Sequence, residues 1–169
     1  MHKSNYDFHR RRMNDIFAAR YTARVEKPIV LFLIGMRFNN LLAVRKWSSV
    51  VLAMPRMLAE LSKNPESGLL FYRSYFSGRV LLVQEYWENF DKLLAYAHDR
   101  AGQHFPAWAA FNRAIGTGGS VGIWHETYLV EPGKSECVYV NMPRFGLAAA
   151  AAHVKAEGPL AAARDRMSA

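Results

Sequence analysis

The apolar pattern predicts three β-strands in the first half of the chain. Residues Ile29–Phe38 are apolar at odd and even positions alike, which predicts a strand covered on both faces. Residues Leu69–Phe76 and Val80–Trp87 are rich in aliphatic and aromatic side chains. Ser77-Gly78 separates them. Because such a pair favours a tight turn, the two segments are predicted to form an antiparallel hairpin.

Helical periodicity lies between and after these strands. Pro55 falls within the first helical pattern and predicts a kink or a break. Asn89 is a predicted N-cap of a second helix ending near Gly102, and Pro106 can begin another helical piece. The first helix is predicted from apolar residues at helical spacing: Trp47, Val50, Val51, Met54, Leu58 and Leu61.

The last third of the chain predicts two strands and a helical tail. Val121–Val130 and Glu136–Val140 have strand character, with a Pro-Gly turn between them. The Ala-rich stretch after Leu147 has helical propensity but little apolar bulk, and Gly158-Pro159 interrupts it. We therefore expect a weakly docked helix at the end of the chain.

Composition and charge indicate one domain with two tails. With 169 residues and 51% hydrophobic content, the chain can bury one substantial core. The predicted parts are a basic arm (residues 1–27), a core domain (28–147) and an Ala-rich tail (148–169). The arm carries seven Lys/Arg against three acids within a net charge of +8. We interpret it as a solvated arm that packs on the domain or its partner, and expect no nucleic-acid contact.

Cysteine usage and the length of the apolar runs predict where the protein is located, and a single cysteine favours a reducing compartment. Cys137 is the only cysteine, which excludes an intrachain disulfide. The longest apolar run, Ile29–Met36, is far shorter than the roughly 20 residues that span a bilayer, and the chain start has no secretory pattern. We therefore expect a cytoplasmic protein without a membrane partner.

Four sequence blocks carry a resemblance to a known family. They are YRSYFSGRVLLVQEYW, HFPAWAAFNR, GIWHETY and YVNMP followed by GL. In this order they resemble a monooxygenase-like family related to fungal antibiotic-biosynthesis monooxygenases, over residues Pro28–Leu147. The resemblance implies an α+β fold: a ferredoxin-like βαββαβ unit that forms a homodimeric α+β barrel. It does not define the chemistry, because one scaffold can carry unrelated sites.

The strand from Val121 to Val130 is unusually polar for a packing strand. Period-two alternation places Trp124, Glu126 and Tyr128 on one face and His125 on the other. Either His125 or Glu126 could act as a base in an apolar pocket, the imidazole at its ordinary pKa and the carboxylate after desolvation. His125 is the preferred base. The competing interpretation of both residues is a satisfied core hydrogen bond.

Other residues would complete the site. Asn39, Asn40 and Tyr128 are candidate hydrogen-bond donors to a substrate anion. The side chains expected to pack a flat, apolar substrate are Trp87, Trp108, Phe111 and Trp124.

Three functions follow from these candidates. The leading hypothesis is a cofactor-independent oxygenase of the antibiotic-biosynthesis monooxygenase type, acting on a small phenolic or polyunsaturated molecule. The second is a haem enzyme, either aldoxime-dehydratase-like or haem-degrading, with His104 as axial ligand, because the resemblance places a histidine at a similar point in haem-binding relatives. The third is a non-catalytic dimeric binder of an apolar metabolite.

Overall fold

The computed structural model describes residues 15–99 and 118–168, apart from the side chains at positions 49, 50, 53, 56 and 60. Contacts divide the chain into two compact units. One comprises Val30–Tyr128, and the other comprises the segments Met1–Ile29 and Leu129–Ala169.

The elements follow one another in a mixed order of strands and short helices. The strands are β1 (Phe17–Arg24), β2 (Ile29–Phe38), β3 (Leu69–Ser77), β4 (Val80–Trp87), β5 (Val121–Val130), β6 (Tyr139–Met142) and β7 (Ala152–Lys155). The helices are α1 (Val44–Leu61), α2 (Phe90–His98), α3 (Leu147–Ala150) and α4 (Ala163–Arg166), with 3₁₀ turns at Pro65–Ser67 and Gly158–Leu160.

The Val30–Tyr128 unit has the ferredoxin-like topology. Its four-stranded sheet has the order β3-β4-β2-β5, and β4 runs antiparallel to both β2 and β3. Strands β2 and β3 are therefore parallel, joined by α1, with β4 between them. The segment from β4 through α2 to β5 makes the second crossover around β2. This arrangement confirms the predicted α+β, ferredoxin-like fold class.

Both helices pack on the same face of this sheet. Leu61 of α1 and Leu93 of α2 cluster with Val30 and Trp87. Further along β2, Met36 and Phe38 cluster with Val121, Trp47 and Val51. Since alternate residues of a strand face opposite sides, the even-numbered residues of β2 face the helices and Leu31, Leu33 and Gly35 face away.

The predicted strands and the first two predicted helices of this unit are confirmed with small corrections, and the second helix ends at His98, before the predicted end near Gly102. The helical piece predicted at Pro106 lies outside the described residues. The hairpin turn lies at Gly78-Arg79, where Gly78 adopts a φ of 55°, and the Asn89 side chain accepts from Lys92 N as an N-cap. Helix α1 continues through Pro55, so the alternative of a break is wrong. The apolar side chains on both sides of the proline, Trp47 and Leu61 among them, are held by the sheet, which offsets the lost backbone hydrogen bond.

Two strands of the second unit, β1 and β7, were not predicted, and β6 overlaps the predicted strand Glu136–Val140 only at Tyr139 and Val140. The sheet of this unit has the order β6-β1-β7, with β1 antiparallel to both neighbours. Strand β1 lies within the segment predicted as a solvated arm. The prediction of a helical tail is wrong beyond α3, because the chain turns at Ala151 and adds β7 to the edge of β1. The three-part domain division itself stays a prediction.

Candidate functional site

Contacts between β2 and β5 decide which face each candidate base occupies. The indole of Trp124 lies against Gly35, where a Cβ atom would come within 2.5 Å of it. The His125 ring instead contacts Phe32, with 5.7 Å between ring centroids. Phe32 belongs to the helix-covered face and Gly35 to the opposite one. His125 therefore shares a face with the helices, whereas Trp124, Glu126 and Tyr128 lie on the opposite face. We call this second face the open face, because Glu126 and Tyr128 are exposed on it.

The helix-covered face also holds a buried carboxyl group, that of Glu85 on β4. Glu85 pairs across the sheet with Phe32 on β2 and with Tyr72 on β3. Its Oε2 accepts a hydrogen bond of 2.9 Å from Nε1 of the fully buried Trp87. Within residues 15–99 and 118–168 that indole is its one hydrogen-bond donor, and no Lys, Arg or His forms an ion pair with it.

Burial raises the pKa of Glu85 from 4.5 to about 7, and the Trp87 hydrogen bond opposes this shift in part. A carboxyl group in this state can hold or release a proton near neutral pH, which an ordinary surface glutamate cannot do. Such perturbed groups concentrate at functional sites, although structural networks also produce them. Glu85 is thus the strongest titratable candidate on this face.

Glu85, Phe32 and His125 lie on three adjacent strands, β4, β2 and β5. Neighbouring strands are about 4.8 Å apart, so the backbones of Glu85 and His125 are separated by roughly 10 Å with Phe32 between them. This spacing is too long for a direct hydrogen bond between the two side chains. A single small molecule lying over Phe32 could contact both.

The open face carries the other two predicted catalytic residues. Tyr128 Oη donates to Glu126 Oε2 at 2.5 Å, and both side chains are exposed. The hydrogen bond to Glu126 is the main cause that raises the pKa of Tyr128, followed by desolvation and the carboxylate charge. The structure therefore places Glu126 and Tyr128 together, and separates both from His125.

The two asparagines fasten loops at the end of β2. Asn39 Nδ2 donates to Gly119 O at 2.9 Å, and Asn39 Oδ1 accepts from Arg37 Nη1. Asn40 Oδ1 accepts from Leu42 N at 3.0 Å. These contacts engage both amide atoms of Asn39 and the carbonyl oxygen of Asn40, and the role of the asparagines as donors to a substrate stays a prediction. His104, Trp108 and Phe111 lie outside the described residues.

Sequence reasoning missed Glu85 although a signal was present. In VLLVQEYW it is the one acid of a strand otherwise dominated by apolar residues, and it shares the parity of Val83 and Trp87. This shared parity indicates that Glu85 is buried once the helices are known to cover the face that carries Trp87.

The topology and this face together define a class, a ferredoxin-like α+β protein with a titratable group between sheet and helices. The sequence model of the family described as Monooxygenase af470-like matches residues 29–147, and the chain belongs to this family. A curated relative, Monooxygenase af470 of Aspergillus fumigatus, is 27% identical over 151 residues, covering 76% of this chain and 53% of the relative. The chain thus spans about half the length of that relative.

One solved structure supports the fold. An aldoxime dehydratase (OxdRE) in complex with butyraldoxime aligns with a TM-score of 0.66 and 15% identity, over 79% of this chain and 40% of that chain. At this identity the likeness concerns the fold alone. SnoaB, a cofactor-independent oxygenase from Streptomyces nogalater, aligns with a TM-score of 0.43 and 11% identity, over 59% of this chain and 90% of that chain.

Proposed function

We propose that the protein is a small-molecule oxygenase that works without a cofactor on an apolar phenolic or polyunsaturated substrate. Family membership supports the general oxygenase type. The observation that carries the proposal at the level of residues is Glu85, a carboxyl group with a pKa of about 7 beside Trp87 and Phe32. It replaces His125 as the preferred base, and His125 becomes a second polar group on the same face.

The proposed chemistry begins with a proton transfer. Near neutral pH Glu85 can be protonated or ionised, and its charge lies in a desolvated place to which the described residues bring no cation. Taking a proton from an activated phenol or C–H acid neutralises that buried charge, so the environment favours the transfer. Aromatic side chains keep the substrate anion away from bulk water, which strengthens its interactions with nearby polar groups.

The substrate anion then supplies the electrons that reduce dioxygen. One oxygen atom forms a bond to a carbon that carries the negative charge of the anion, and the O–O bond breaks. In a C–H acid a CH₂ group becomes C=O, and in a phenol the C–OH and a ring C–H become the two C=O groups of a quinone; in both cases the second oxygen atom leaves as water with the two hydrogens that the substrate loses. Atoms and electrons balance without an external reductant. Glu85 accepts the first proton and returns it to the departing oxygen, which restores the carboxylate for the next turnover.

The experiment compares two carboxylates on opposite faces of one sheet. Glu85→Gln keeps an acceptor for Trp87 Nε1 and removes the proton-accepting carboxylate, whereas Glu126→Gln changes an exposed carboxylate on the open face. Oxygen consumption is measured with a panel of phenols and polyenes. We expect Glu85→Gln to lower kcat by about a hundredfold or more, and Glu126→Gln to stay near wild type.

Two outcomes would contradict this proposal. If Glu85→Gln retains wild-type turnover on a substrate that the wild type oxidises, Glu85 is structural. If instead added haem produces a Soret band and activity, and both disappear in His104→Ala, the protein is a haem enzyme. Circular dichroism of each variant separates loss of chemistry from loss of fold.

A further inference from the structure

Three connecting segments lie together at one end of the strands of the four-stranded sheet. Strand β2 ends at Phe38, β3 ends at Ser77 and β4 begins at Val80. Arg79 Nη1 donates to Asn39 O at 3.0 Å, and Asn40 N donates to Ser120 O at 3.0 Å. We call this group, residues 37–48, 76–80 and 118–122, the loop edge. All of it belongs to the Val30–Tyr128 unit.

The loop edge exposes several large apolar side chains. Leu42 is 90% exposed, Phe76 69%, Val44 50% and Leu41 48%. The Leu41 backbone is fixed by Trp47, whose Nε1 donates to Leu41 O at 3.2 Å. The Trp47 ring in turn packs edge-on against Phe38. Scattered exposed apolar residues are ordinary, but a cluster on an ordered edge marks an interaction surface.

The charges of the loop edge have a single sign. Its sequence contains four basic residues, Arg37, Arg45, Lys46 and Arg79, and no aspartate or glutamate. Arg37, Arg45 and Arg79 are exposed and Lys46 is half-buried. Cations interleaved with protruding apolar side chains match the boundary of a bilayer, where phosphates lie beside acyl chains. A protein interface would more often have an apolar centre depleted of charge.

We propose that the loop edge docks on the surface of a membrane containing anionic phospholipids. Leu42 and Phe76 enter the acyl boundary, and Arg45 and Lys46 pair with headgroup phosphates. The contact is peripheral: no helix in residues 15–99 and 118–168 is long and apolar enough to cross a bilayer. The expectation of no membrane partner came from the short apolar runs, the pattern at the chain start and the interpretation of the basic arm, none of which concerns this surface. The proposal stands without the oxygenase assignment.

The test is co-sedimentation of the full chain with vesicles of phosphatidylcholine, with and without phosphatidylserine. We expect binding to the anionic vesicles that weakens with salt. Arg45→Gln with Lys46→Gln should weaken it roughly 25-fold, at about fivefold per charge. Leu42→Ser and Phe76→Ser should each weaken it roughly tenfold. The matched controls, Lys134→Gln with Arg164→Gln and Met167→Ser, change exposed residues of the other unit and should bind like wild type.

Three results would overturn the proposal. One is the absence of the expected difference in binding: either the wild-type chain does not bind anionic vesicles, or the loop-edge variants bind them as tightly as the controls do. Another is release by millimolar inorganic phosphate or free glycerophosphoserine, which would indicate recognition of a phosphate ion. The third is loss of molar mass in light scattering for Leu42→Ser and Phe76→Ser without any change in vesicle binding, which would indicate a protein interface. Turnover of a water-soluble substrate should persist in Leu42→Ser and fall in Glu85→Gln, so this proposal and the oxygenase proposal can fail separately.

Discussion

The carboxyl group of Glu85 lies between Phe32 and Tyr72 on neighbouring strands and receives its hydrogen bond from the indole of Trp87. A carboxylate is costly in such surroundings unless a cation pairs with it, and the described residues supply no cation. The raised pKa of Glu85 therefore reflects the free-energy cost of burying its negative charge. The fold tolerates this cost at one position that faces its helices.

That cost predicts a pH dependence of stability. The pKa of Glu85 rises from 4.5 in the unfolded chain to about 7 in the fold, so its favourable contribution is complete below pH 4.5 and is lost as pH rises through 7. Compared with Glu85→Gln, the wild type should lose roughly 3 kcal/mol of unfolding free energy between pH 4.5 and pH 8. Urea unfolding of both proteins across this range measures the difference. Parallel pH profiles would show that the buried carboxyl carries no such cost.

His153 on β7 predicts the opposite pH dependence in the second unit. Its ring stacks on Tyr21 at 4.5 Å and meets Phe17 edge-on, while its buried Nε2 has no hydrogen-bond partner among the described residues. Desolvation, and then the positive charge of Arg144, lowers its pKa. The contribution of this residue to stability is therefore present above pH 6.5 and is lost as pH falls below it.

His153→Phe keeps an aromatic ring in the cluster and removes the titration. We expect this variant to lose less stability than wild type between pH 7 and pH 5. The measurement is the midpoint of thermal unfolding at both pH values. Equal losses in the two proteins would show that folding does not lower the pKa of His153.

At the scale of elements, the strands and helices of the Val30–Tyr128 unit could be predicted from the sequence. Each has a sustained apolar period, and β4 and α2 are bounded by Gly78 and Asn89, whose backbone and capping roles are local. Strands β1 and β7 could not be predicted in the same way, and of β6 only Tyr139 and Val140 fall within the predicted strand Glu136–Val140. Strands β1 and β7 mix charged with apolar residues, and all three strands depend on pairing between segments more than 100 positions apart, such as Tyr21 with Tyr139.

The candidate site shows the same division between local and long-range information. Alternation along β5 correctly separated His125 from Glu126 and Tyr128, because it depends on the strand alone. The importance of Glu85 depends on helices that come from other parts of the chain to cover its face. The loop contacts of Asn39 and Asn40 also depend on segments brought together by the fold, such as Asn39 with Gly119, and their role as substrate donors stays a prediction.

At the scale of the whole molecule, the open face of the four-stranded sheet predicts self-association. Leu31 and Leu33 face away from the helices and are half-buried, with Leu82 on the same side of β4. Phe71 and Tyr86 on this face, in contrast, are already buried within the chain. An apolar sheet face of this kind is typically covered in a functional assembly. We propose that two copies pack these faces together in a homodimer, as the resemblance to barrel-forming proteins implied.

Light scattering at micromolar concentration tests this prediction, with an expected mass of about twice the 19.2 kDa chain. Leu33→Asp would place a charge in the proposed interface and should shift the protein toward monomer, because an unpaired buried charge is strongly unfavourable. Leu94→Asp, at an exposed position of α2, should leave the mass unchanged. A monomeric wild type would refute the dimer, and a dimeric Leu33→Asp would place its interface on another surface. Because the loop edge lies at the ends of the strands, this sheet-to-sheet contact leaves its exposed side chains available to a membrane.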